Sequence, residues 1–401
     1  MGKEIAPEGA VGRRVAVQRK LAGLTQHQLA TRAHVSKSLV AQVEIGALPA
    51  SAAFTAAAAR ALRVDVEALT GEPYGHPLHD PQAEHAGIAA LRIALDCDED
   101  PDVEGFPLPA AELRTRLDRC QADREKARYA QMLAVLPELL EHAYLIIHAA
   151  RAGQEAETAW ALLNDAYELA RTVSLRFGYH DLGALAARCG RDAAICAGDP
   201  LRVAVATHQH VGVQLRRGDY TVVLRAVDRA HGLIESESSP AADAVRVVLH
   251  LRQATAHARL GARDRADEHI SEARRLVTGG VPAHPFYGVN ANLENVDIAW
   301  VAVPVELSDG TTAIGRAEQV RLPSDAQPSR AGHHWIDVAR AWTLHGDHAK
   351  ALGALNEARR IAPQQTRYHS SVRETVYLLA EHDRRANDTL ASFARWAGVS
   401  L

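Results

Sequence analysis

Between residues 10 and 71 the apolar positions fall into five short runs at three- and four-residue spacing, the period of a helix with one buried face. The first runs from Val11 to Ala22 and stops at Gly23, a residue suited to the left-handed conformation that ends helices. Thr25 can cap the second run, and Gln28 three positions later completes a capping box. Ser36 caps a third that ends by Gly46, while Ser51 and Asp65 offer caps for a fourth and fifth, closed by Gly71. The stretch EPYGHPLHDPQ that follows holds three prolines and a glycine and reads as a linker.

A further helical run from about Gln82 to Leu95 leads into an acidic, proline-containing loop, DEDPDVEGFPLP. From Ala110 onward one helical pattern follows another, with breaks of a few residues and no alternating strand segment. Pro137 predicts a kink in the long segment from Glu112 to Ala150. Three stretches share a design: RRGDYTVVLRAVDRAHGLI, RLGARDRADEHISEARRLV and LHGDHAKALGALNEARRIAP. Each is a helix end, a glycine turn and a second helix. The turn glycines Gly218, Gly261 and Gly346 lie 43 and then 85 residues apart, one period and then two. That period exceeds the 34 residues of a tetratricopeptide repeat, but helix pairs with longer loops produce it. Small residues such as Ala351 and Ala358 let paired helices approach, and stacked pairs would bury a continuous core and curve into a superhelix with a concave face. An irregular helical bundle is the alternative. The expected fold is therefore all-α: a five-helix unit over residues 1–72, a linker over 73–82, and a tetratricopeptide-like array over 83–401.

The segment GLTQHQLATRAHVSKSLVAQVEIG, residues 23–46, resembles the helix-turn-helix of Cro and phage-repressor proteins, the XRE family. Thr25, Gln26, Leu29, Ala30, Ala33, Val35, Ser36, Val40 and Glu44 fall where that pattern places them. Leu29, Ala30, Ala33, Val35, Val40 and Val43 form one seam between the second and third helices, and the other face of the third stays free for a major groove. The resemblance implies double-stranded operator DNA as partner, with base contacts from Lys37, Ser38 and Gln42. It implies phosphate contacts from Gln26 and Ser36 at helix N-termini, with Arg13, Arg14 and Arg32. Two departures stand out. The turn holds His34 where the family usually has glycine, at a cost of about 1 kcal/mol if its φ is positive. The loop IGALPAS after the third helix lacks the basic residues the family often carries. The whole layout is similar to a group of actinobacterial regulators and, less specifically, to the peptide-pheromone receptors of Gram-positive bacteria. That resemblance implies a homodimer and a peptide or small-molecule effector held by the array.

Charge sharpens the division. From Val11 to Arg63 eight basic residues face a single acid, Glu44, giving +7, whereas the whole chain carries −4. One end is thus built to meet a polyanion. The 45 basic residues include only five lysines, a bias of GC-rich coding that says little about function. The N-terminus lacks the apolar core of a signal peptide, and the most hydrophobic stretch, Ala143–Ala150, is too short to span a bilayer, so a cytoplasmic, membrane-free protein is expected. Cys97, Cys120, Cys189 and Cys196 show no CxxC spacing and read as buried free thiols.

Twenty-one histidines form no HExxH or Cys/His ligand set, and no GxSxG, Walker loop or dinucleotide fingerprint is present, so neither metal, cofactor nor enzyme activity is expected. Residues 284–300, HPFYGVNANLENVDIAW, are unusual in holding three asparagines beside three aromatics. On a helix starting near Asn290, Trp300 joins a packing stripe, while Asn292 and Asn295 share the neighbouring stripe, either exposed to solvent or clamping a ligand backbone. The candidate ligand site comprises Phe286, Tyr287, Asn292, Asn295, Trp335 and Arg340. The expected function is a sequence-specific, signal-responsive transcription regulator. The alternative is a helical-repeat scaffold for proteins with a secondary DNA-binding head.

Overall fold

The computed structural model describes residues 10–72, 81–96, 106–279, 286–382 and 388–400. Every regular element among them is helical. The head comprises α1 (Val11–Leu21), α2 (Gln26–Ala33), α3 (Lys37–Glu44), α4 (Ala52–Leu62) and α5 (Val66–Thr70). Its boundaries follow the caps. Thr25 and Gln28 form the expected capping box, Ser36 accepts from the Leu39 amide and Ser51 from that of Phe54. His34 takes φ 56° between α2 and α3, so a histidine does occupy the left-handed turn. Val15, Leu29, Val40 and Leu69 are fully buried in one small core with Phe54. A Cβ on Gly12 would lie 1.8 Å from the Val43 carbonyl oxygen, so α1 and α3 cross at a distance only glycine permits. Glu44, the single acid between Val11 and Arg63, ties three helices together: Arg19 donates to both of its oxygens at 2.6 and 2.9 Å, and Gln26 to one at 2.8 Å.

The array comprises α6 (Pro81–Asp96), α7 (Ala110–Glu125), α8 (Tyr129–Ala149), α9 (Gln154–Arg176), α10 (His180–Cys196), α11 (Pro200–Arg217), α12 (Tyr220–Leu233), α13 (Pro240–Arg259) and α14 (Arg263–Thr278). A 3-10 turn at Phe286–Gly288 precedes α15 (Leu293–Glu306), α16 (Gly310–Ala317), α17 (Pro328–His345), α18 (His348–Ile361), α19 (Pro363–Tyr368), α20 (Ser370–His382) and α21 (Asp388–Ala397). Consecutive helices pack in pairs, α9 on α10 through α17 on α18, and each first helix also packs on the first helix or the second helix of its neighbours. The turn inside each pair carries one left-handed residue: Gly178, Gly218, Gly261, Ser308 and Gly346. Ser308, at φ 60°, fills the position that the double spacing between Gly261 and Gly346 leaves without a glycine.

Three expectations are refined. The segment Glu112–Ala150 breaks at Ala127, which takes φ 55°, and α8 continues through Pro137. Buried Leu133, Leu136, Leu139 and Leu140 on both sides of the proline hold that helix in the core, so it continues despite the hydrogen bond the proline lacks. α8 is also the one described helix long and apolar enough to cross a membrane by composition. Cys196 is exposed rather than buried, Cys189 is half-buried, Cys120 is buried and pushed up to about 12 by that burial, and Cys97 lies outside the described residues. Most of the linker, residues 73–80, also lies outside them, but α6 begins at Pro81.

The head rests on the array at two places. At α20, Glu374 accepts from the Val11 amide at 2.8 Å and Glu381 pairs with Arg13 at 2.9 Å. At the end of α11, Arg60 donates to the Gly218 carbonyl at 2.7 Å and Arg216 pairs with Glu72. A Cβ at Gly218 would stand 2.7 Å from the Arg60 guanidinium and 2.9 Å from Ala56, so this glycine serves both its own turn and the approach of the head.

Candidate functional site

The outer end of the head is built by helix starts. Ser36 caps α3, and Lys37, Ser38 and Gln42 project from its exposed side with no side-chain partner among the described residues, while Val40 and Val43 hold the opposite side in the core. α2 and the start of α3 therefore face outward, and the far end of α3 abuts α20, where Gly46 meets the Glu381 carboxylate. Arg32 is exposed beside this face. The other expected phosphate contacts are placed differently. Arg13 is engaged with Glu381, and the Gln26 side chain, half-buried, bonds Glu44. Arg14 is buried, donates to the Thr70 carbonyl at 3.2 Å and packs on Gly71, so its guanidinium closes the head instead of facing outward. The sequence charge of +7 is thus partly consumed internally: Arg14, Arg19 and Arg60 all serve contacts within the chain.

Behind the head lies a cavity of about 670 Å³. Its walls come from the first helix of each pair, α9, α11, α13, α15 and α17, closed by α20 on one side and by head residues including Arg14, Ser51 and Thr55 on another. Ten arginines line it against five acids, so its interior is strongly positive. Part of that charge is compensated. Glu306 lies between Arg259 (2.8 Å) and Arg340 (3.1 Å), and Arg340 also reaches Asp337 at 2.8 Å. Burial alone would raise Glu306, but the two guanidiniums hold it at about 2. Glu72 is held at about 2 in the same way, burial being outweighed by Arg216 and His180. Other groups are pushed toward neutrality. Burial, then Arg171, Arg259 and Arg330, push Arg252 down to about 9, and burial with Arg176 pushes Arg330 down to about 10. His369 falls to about 3 through burial and the neighbouring His333 and Arg176.

The expected ligand residues do not converge. α15 starts at Leu293, so Asn292 is its N-cap and accepts from the Asn295 amide at 2.9 Å, a local reason for that asparagine. Asn295 does line the cavity, buried, with its amide donating to the Asn290 carbonyl at 2.8 Å. Arg340 lines it too, within the ion-pair network above. Trp335 faces a separate hollow beside His334 and Trp342. The Tyr287 ring lies under the Arg202 guanidinium at 5.2 Å, and the Phe286 side chain lies outside the described residues. Trp300 packs in the core between Arg274 and Arg316, each 5.1 Å from its ring. The arginines on the first helices were not singled out in the sequence. Their signal, an inward arginine recurring on alternate helices, is hidden by 40 arginines spread over the chain.

Residues 10–70 match the helix-turn-helix domain family. No curated protein matches the chain. Among solved structures, the chain is similar to PlcR of Bacillus thuringiensis, determined in complex with the peptide PapR7 and DNA, at 15% identity and a TM-score of 0.35, over 67% of this chain and 95% of that one.

Proposed function

We propose that this chain is a sequence-specific DNA-binding transcription regulator whose helical array senses a signal and holds two copies together. The observation that carries the reading is the head itself: α3 presents Lys37, Ser38 and Gln42 outward and exposed, from a helix-turn-helix whose other face is locked in a core. On this reading those three residues read bases, and Ser36, Gln26 and Arg32 hold phosphates near helix starts. Arg13 joins them only if it leaves Glu381. The chain divides into a DNA-binding unit (1–72), a linker that ends where α6 begins at Pro81, and a sensor and dimerisation array from there to residue 401, and it works in the cytoplasm, where its operator is. It has no catalytic role.

Signal sensing is favoured by the position of the cavity, whose wall is shared between head and array. A molecule filling it touches both, and so has a differential interaction with docked and undocked heads, the requirement for a ligand to shift that equilibrium. A gel shift of genomic fragments with excess competing polyanion tests the reading. Selective retention of a few fragments supports it, and equal competition of all fragments overturns it.

A further inference from the structure

Four of the cavity arginines, Arg124, Arg176, Arg252 and Arg330, form no ion pair among the described residues, although Glu168 and Glu125 act on Arg124, and Asp337 on Arg330, from farther away. The cavity is ringed by other arginines that do form ion pairs. Arg252 meets only the neutral side chain of His208, at 3.2 Å, and its Nε is buried without a partner. Arg330 makes no side-chain hydrogen bond, and its Nε is likewise buried and unpartnered. Arg124 donates to the Gly288 carbonyl, and Arg176 lies 5.7 Å over the Tyr129 ring. They come from four separate places in the array, namely α7, α9, α13 and α17, and converge on one chamber.

A half-buried cation without a paired counter-charge is costly, and each of these is a guanidinium, whose planar fork fits carboxylate and phosphate oxygens two at a time. We propose that the central cavity is a binding site for a small molecule carrying two or more phosphate or carboxylate groups, held by Arg124, Arg176, Arg252 and Arg330. The volume of about 670 Å³ falls in the range of small-molecule sites. A peptide is the poorer fit. Without acidic side chains its single terminal carboxylate would leave most of these cations uncompensated, and of the two asparagines expected to clamp a backbone, Asn292 is spent as a helix cap. His208 and His333, both held neutral chiefly by burial and then by nearby arginines, add no charge to the chamber. The anion's role as effector rests on the regulator reading above, but its binding does not.

The unpaired charges also make the ligand-free site self-destabilising, which separates a binding role from a structural one. Arginines that merely brace the fold lower its melting temperature when replaced. Arginines awaiting an anion raise it when replaced by a methionine of similar length. The experiment uses the full chain with pyrophosphate and citrate as probes, by calorimetry and thermal melting without DNA. Expected are binding of at least one probe at one per chain, a raised melting temperature with that probe, and at least a tenfold loss of its affinity in Arg252→Met and in Arg330→Met. Preference for pyrophosphate assigns phosphate as the group recognised, and preference for citrate assigns carboxylate. Each variant is also expected to melt higher than wild type when no probe is present. No binding of either probe by the wild-type chain, unchanged affinity in both variants, or lower ligand-free melting of both variants would overturn the site. Because no DNA is present, the result stands apart from that of the gel shift.

Discussion

The amide of Val11, the first residue of α1, donates to the carboxylate of Glu374, 363 residues further along the chain, at 2.8 Å. Ala10, at the cap position, supplies no side-chain oxygen, so the array caps the head's first helix in its place. Glu374 also accepts from the Ala50 amide just before α4, and thus holds two parts of the head at once. The head's orientation is therefore written partly in residues of α20.

This contact makes docking of the head depend on pH. Burial, opposed by the Val11 amide and Arg14 and reinforced by Glu381, raises Glu374 from 4.5 to about 7. The facing charges are Arg14 and Glu381, the latter neutralised by Arg13. With the pKa raised in the docked state, docking retains the proton: its full stability holds below 4.5 and is lost progressively as pH rises to 7. Hydrogen exchange of the α1 amides should accelerate between about pH 5 and 8 beyond the intrinsic trend, and Glu374→Gln should flatten that excess. An excess unchanged in the variant would assign it to another group.

Base reading and phosphate holding separate by mutation. Lys37→Ala or Gln42→Ala should cost about 1–3 kcal/mol on the selected operator and little on random DNA. Arg32→Ala should weaken both alike and lower the salt slope by about 1. Arg14→Ala should instead destabilise the head by about 1–3 kcal/mol, because its buried bond to Thr70 is lost. Affinities over a salt series, set beside thermal melts of each variant, check all three.

Glu306 is the acid on which the cavity wall depends. Removing it leaves Arg259 and Arg340 facing each other, with only Asp337 to compensate. Glu306→Ala should cost about 3–5 kcal/mol, read as a lowered midpoint in urea. Since Glu306 is held at about 2, its contribution is present above 4.5 and lost as pH falls toward 2.

Two copies should be needed on DNA. One helix-turn-helix contacts too few base pairs for useful specificity, and paired half-sites about 34 Å apart supply the rest. Sedimentation of the chain on its operator should give two chains per duplex. One chain per duplex would show that the array does not dimerise. α8 and α21 both spend their main apolar faces inside the chain, α8 through Met132 and Leu136 and α21 through Leu390 and Phe393.

The local facts were legible in the sequence because local physics sets them. Thr25 and Gln28, Ser36 and Ser51 cap their helices, His34 turns left-handed, and Gly218, Gly261 and Gly346 mark helix pairs, since each depends on neighbours a few residues away. Trp300 joins the core as its helical spacing indicates. Long-range facts were not. Nothing near Arg14 or Arg19 says that their guanidiniums turn inward. The cap that Val11 lacks locally comes from Glu374, and the chamber around Arg124, Arg176, Arg252 and Arg330 exists only once four distant helices converge. Charge acts through space, and only the tertiary structure decides which arginines meet a carboxylate and which are left facing one another.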